Sequence, residues 1–70
     1  MLLFTTHALK RMRERKITRA EVTATVKKSE AIVWEESKVA VYRKKHGVRT
    51  LEVVTEIQKS KYIVITTYWI

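Results

Sequence analysis

The periodicity of this chain changes once, near Glu30, and that change dictates what it can fold into. Before it, good helix formers carry apolar residues three and four apart; after it, Val, Ile, Thr, Tyr and Trp alternate with polar residues. A helical opening followed by a strand-rich remainder is the pattern of an α+β protein, with helices packed on an antiparallel sheet. Proline is absent, Gly47 is the only glycine, and no low-complexity stretch or internal repeat divides the 70 residues. A chain this short supports one hydrophobic core, so residues 1–70 read as a single α+β domain. It buries only about 60% of the surface its unfolded form exposes, which leaves room for stabilisation by a partner or in a homodimer.

Local signals place the elements. Thr5 or Thr6 caps a first helix, Ala8 to Arg15 supply its interior, and Lys16 ends it. Thr18 and Glu21 form a capping box and Ile17 with Val22 a hydrophobic staple, the sharpest local signal in the chain. A second helix follows from about Arg19 to Lys28, with Val22 and Val26 on one face. Four strands are expected, near Ala31 to Glu35, Lys38 to Lys44, Arg49 to Ile57 and Lys61 to Trp69, with Leu2 to Phe4 as a short extra edge. Turns fall at Glu36-Ser37, Lys45-His46-Gly47 and Gln58-Lys59-Ser60. Alternation predicts Val39, Val41, Leu51, Val53, Ile63 and Ile65 on the face that the helices cover. Trp34 and Trp69 are expected in the core or covering an edge.

Charge narrows the partners. Fifteen Lys plus Arg against seven Asp plus Glu give a formal charge of +8 and a pI near 10.1, which favours nucleic acid, ribosomes or an acidic protein. The competing reading is a cationic surface with no specific ligand. Cysteine is absent, so neither a disulfide framework nor a zinc-thiolate site is expected, and a reducing cytoplasm is the natural setting. Two histidines alone make a poor metal cage, and neither a metal nor a cofactor is expected. The opening Met1-Leu2-Leu3-Phe4 is too short for a signal-peptide core, and no apolar run has the length of a membrane-spanning helix.

Two clusters could carry chemistry. His7, Arg11 and Arg15 recur every four residues and spread over only about 80° of the first helix, bordering Ala8 and Met12. Guanidinium groups there can hold phosphate oxygens and a histidine can move a proton. The alternative is that Arg11 and Arg15 pair with Glu14, Glu21 or strand carboxylates while His7 caps the helix start. Around the hairpin, Tyr42, Arg43, Lys44, Lys45, His46 and Arg49 form a basic and aromatic group of the kind that follows a nucleic-acid backbone, or else a solvated hairpin end with His46 as an exposed turn residue. Tyr68 and Trp69 are sent to opposite faces of the last strand. With no glycine-rich phosphate loop, cysteine nucleophile or carboxylate pair, the feasible catalysis is RNA cleavage by the substrate's own 2′-hydroxyl, helped by a base, an acid and cations.

Phe4-Thr5-Thr6-His7-Ala8, Arg11-Met12, Glu14-Arg15, Ile17-Thr18 and Glu21-Val22 together resemble the opening of a family of short uncharacterised bacterial and archaeal domains related to the RelE/ParE toxin superfamily. The motif covers about the first third of the chain. The resemblance implies two helices on an antiparallel sheet and an origin among toxin–antitoxin modules. Ribonuclease members of that superfamily act on messenger RNA in the ribosome with basic residues and often a C-terminal tyrosine; others bind a topoisomerase and cleave nothing. The helix stripe together with that resemblance makes His7, Arg11 and Tyr68 the expected catalytic residues, and the stripe with the hairpin cluster makes Arg11, Arg15, Arg43, Lys44 and Arg49 the expected RNA-binding ones. An acidic antitoxin is an implied partner. The chain has no C-terminal helix and is shorter than typical toxins, which also admits an inactive relative or a protein-binding module that breaks no bond.

Overall fold

The computed structural model describes residues 2–70. Strand β1 (Leu2–Phe4) leads into helix α1 (Thr6–Arg15) and helix α2 (Arg19–Lys27). Strands β2 (Ala31–Glu36), β3 (Val39–His46), β4 (Arg49–Gln58) and β5 (Lys61–Trp69) follow as a meander. The sheet therefore has five strands instead of four, in the order β1-β5-β4-β3-β2. It is mixed instead of wholly antiparallel, because β1 runs parallel to β5. The two helices carry the chain from one edge of the sheet to the other.

The helix termini follow the local chemistry. The Thr5 side chain accepts from the Ala8 amide, and Lys16 closes α1 in the left-handed region at φ 55°. Thr18 and Glu21 make the reciprocal capping box. One face of each helix is buried, Ala8 and Met12 from α1 with Val22 and Thr25 from α2, and Ile17 seals the turn between them. Beneath them lie Ala40, Tyr42, Leu51, Val53 and Val64, flanked by Phe4, Ile57 and Trp69. At roughly 1.5–3 kcal/mol for each large apolar side chain removed from water, this layer is the main source of stability.

The face assignment is right for Leu51 and Val53 and wrong for the expected residues of β3 and β5. The β3–β4 loop is the two-residue Gly47-Val48 instead of a longer turn, with Gly47 at φ 68°, and it fixes His46 opposite Arg49. From that register Tyr42 lies opposite Val53 and Val41 opposite Val54. Opposed residues share a face, so Ala40 and Tyr42 point at the helices while Val39 and Val41 point away. In β5, Val54 pairs with Thr66 but Thr55 with Val64, which leaves Ile65 as an extra residue. This bulge reverses the alternation, so that Val64 and Thr67 both face the helices while Ile63 faces away. Trp34, expected in the core or covering an edge, is exposed in the edge strand β2. No helix among the described residues is long and apolar enough to cross a membrane.

Candidate nucleic-acid interface

Helix α1 concentrates cations because its sequence spends only Ala8, Leu9 and Met12 on packing. Lys10, Arg11, Arg13 and Arg15 project from its remaining surface with Glu14 as the single acid, and Lys16 and Arg19 continue the basic run. Arg13 and Arg15 lie in the last turn, where cations complement the helix dipole. His7 is exposed in the first turn. Arg11 reaches Glu14 at 2.8 Å, an exposed i,i+3 pair, and this hydrogen bond holds the Glu14 carboxyl below its usual range. Arg15 stays exposed while one guanidinium nitrogen reaches back to the sheet and donates to the Thr67 carbonyl. The stripe of His7, Arg11 and Arg15 thus borders the buried Ala8 and Met12 as expected, and it lies apart from the groove lined by Val26, Ile32 and Tyr62.

Where α1 ends, an aromatic corner joins this surface. The Trp69 indole donates to the Arg15 carbonyl at 3.1 Å, and the Arg49 guanidinium lies 4.2 Å from the centre of the Trp69 ring. His46 meets Trp69 edge-on with ring centroids 6.3 Å apart. Its Nε2 lies 2.8 Å from the Thr25 hydroxyl oxygen. That hydroxyl donates its only hydrogen to the Glu21 carbonyl at 2.7 Å, so the His46 Nε2–H is the donor to Thr25. His46 is therefore a strand residue held against α2, and not an exposed turn residue. Continuing the β3 alternation two positions past Lys44 would have found it.

Four of the five expected RNA-binding residues, Arg11, Arg15, Lys44 and Arg49, lie on the helix-bearing side. Lys44 is 3.9 Å from Glu30 and half-buried. Tyr42 belongs to the core, 6% exposed beneath the helices, and burial raises its hydroxyl above the ordinary phenol range; it offers no stacking surface.

Arg43 and Tyr68 belong to the other face. They flank Glu52 on adjacent strands, Arg43 donating from Nε to its carboxylate at 2.5 Å. The Tyr68 hydroxyl hydrogen-bonds to Glu52, and that bond, followed by burial, raises its pKa. Glu52 is only 4% exposed although no helix covers it, with Arg43 and Tyr68 on its two flanks. Glu52 is not among the site residues expected from the sequence, where its one signal is its position between apolar Leu51 and Val53. Tyr68 and Trp69 do occupy opposite faces, so Tyr68 is separated by the sheet from His7 and Arg11, and the structure does not assemble those three residues on one phosphate.

Among the described residues no group of three or more His, Cys, Asp or Glu side chains could hold a metal ion. No curated protein and no solved structure matches the chain. The family model described as a domain of unknown function, DUF4258, matches residues 4–69, and the chain belongs to that family.

Proposed function

We propose that the chain is an RNA-binding protein of the RelE/ParE-like kind, which engages RNA through α1 and the Trp69 corner. The observation that carries this reading is the run of cations from Lys10 to Arg19, exposed on one side and continued by Arg49 stacked on Trp69. Phosphate neutralisation by Lys and Arg supplies most of the affinity of such surfaces, and the Arg49 guanidinium, held over the Trp69 ring, adds a further cation at the end of the run. The N-terminal motif and the placing of both helices on one side of the sheet support the toxin-like part of the reading.

Binding is favoured over cleavage. Scission by a 2′-hydroxyl needs a base, an acid and cations around a single phosphate. Tyr68 faces away from His7 and is tied to Glu52, so the acid that the resemblance suggests is not beside the base.

The test is fluorescence anisotropy with a labelled single-stranded RNA over a series of salt concentrations. The triple variant Lys10→Ala/Arg11→Ala/Arg13→Ala is expected to bind more weakly and to flatten the dependence of log K on log salt by about 2–3. An unchanged slope defeats the assignment of this surface. No RNA retained at moderate salt, together with a stable complex with an acidic protein, points to the alternative of a protein-binding module that uses the same cations on an antitoxin.

A further inference from the structure

Edge strands of natural sheets are usually short, charged or covered, and β2 is none of these along Ala31–Trp34. All six residues of β2 are exposed, and Ile32, Val33 and Trp34 remain 50%, 41% and 57% accessible. Helix α2 packs over β3 and β4, so β2 extends beyond the helix layer with its outer edge free. Beside it lies a groove of about 630 Å³ whose lining includes Leu2, Val26, Ile32 and Tyr62. An apolar edge and a groove that mixes these apolar side chains with Thr23 and Lys27, joined at Ile32, call for one occupant.

We infer that the occupant is a second copy of this chain, joined by antiparallel β2–β2 pairing about a two-fold axis at Val33. The register follows from parity. Ile32 and Trp34 share the helix-bearing face, since they lie opposite Tyr42 and Ala40, and Val33 shares the other with Val41. Opposed residues of an antiparallel pair lie on the same face, so each Ile32 must meet an even-numbered residue of the other copy. Centring on Val33 sets Ile32 against the second Trp34, twice, and Val33 against Val33. Centring one residue earlier sets Trp34 against Glu30, and one later sets Ile32 against Glu36. Only the Val33 centre keeps all six apolar side chains against apolar neighbours, and it brings the second copy's Trp34 to the Ile32 rim of the groove.

Charge sets the limit of the paired stretch. The chain carries +8, but residues 29–37 contain Glu30, Glu35 and Glu36 and neither Lys nor Arg, so copies meet here without cation repulsion, while Glu30 falls opposite the second Glu36 at each end of the apolar stretch and loosens the pairing there. The extra residue at Glu35, between the Trp34–Ala40 and Glu36–Val39 pairs, ends the regular stretch and limits slippage. The other sheet edge, β1, has three residues, so the longer β2 edge pairs with itself and the assembly closes as a dimer instead of extending as a filament. Both helix layers then lie on the same side of a ten-stranded sheet.

Light scattering over about a hundredfold concentration range is the first test, with an expected rise from one to two chain masses. Trp34→Lys, at an exposed position, is expected to weaken association at least about tenfold while circular dichroism and melting stay unchanged. Val33→Cys keeps Trp34 and introduces the only cysteine; under mild oxidation it should form a disulfide-linked dimer, because Cα atoms of opposed residues lie about 4.5–5.5 Å apart. Ile32→Cys should not. A monomer at every concentration, a dimer that persists in Trp34→Lys, or a dimer in which Val33→Cys fails to crosslink overturns the inference. None of these outcomes alters the RNA salt slope, which tests the other face feature separately.

Discussion

Leu51 and Glu52 are neighbours in β4, both almost wholly buried, and they are buried by opposite means. Leu51 lies under the helices among Val53, Tyr42 and Met12, where dispersion and the release of water hold it. Glu52 points to the side without helices, between Arg43 and Tyr68, which it bonds from either flank. One face is thus a packed core whose outer helical surface is free to carry cations. The other is an open sheet whose polar centre is already satisfied within the protein. The contrast separates two properties that composition merges: where the positive charge is, and where the polar residues are most tightly organised.

Substitutions break or sharpen that comparison, beginning with the core. Leu51→Ala should cost about 2–5 kcal/mol, the range for emptying a packed leucine site, and leave the chain mostly unfolded at physiological temperature in a thermal melt. Glu52→Ala should cost less, on the order of 1–2 kcal/mol, because the Arg43 it abandons is half in water and re-solvates. A loss from Glu52→Ala equal to that from Leu51→Ala in urea titration removes the distinction between the faces. Thr67 sharpens it from the covered side. Its hydroxyl is buried with no hydrogen-bond partner, so Thr67→Val should stabilise by about 1 kcal/mol and raise the melting temperature.

The smallest effect is a pH dependence on the open face. The Tyr68 phenol is held above its ordinary pKa by Glu52, so its stabilising contribution is complete below the unfolded value of about 10. It is lost as pH rises through the higher folded value. Tyr68→Phe should lower stability by about 1 kcal/mol at neutral pH and make the further loss above about pH 10 shallower than in the wild type, read from urea midpoints. An unchanged alkaline slope contradicts the Glu52 bond as its cause.

Local chemistry was readable where it acts alone. The capping box at Thr18 and Glu21, the stop at Lys16, the β5 span and the opposed faces of Tyr68 and Trp69 follow from near neighbours in sequence. What was not readable depends on register. Val41 is expected on the helix-covered face when alternation in β3 and β4 is read separately, whereas the Gly47-Val48 loop makes their phases complementary and leaves Val41 buried on the opposite face. Ile63 is expected on the helix-covered face too, but one extra residue at Ile65 reverses the alternation of β5, and no residue type announces it. The same limit applies to the site: the cations of α1 were visible, but not that Tyr68 lies across the sheet from them, nor that Trp69 gathers Arg15, Arg49 and His46.

The central claim is that RNA meets the helix-bearing side and not the open face. The direct measurement compares two double variants in the RNA salt titration, Arg11→Ala/Arg13→Ala on α1 and Arg43→Ala/Tyr68→Phe on the sheet. The first is expected to flatten the salt slope by about 2 while the second leaves both affinity and slope near the wild type. Loss of binding in the second with the first unaffected would contradict it and move the functional surface to Arg43, Glu52 and Tyr68.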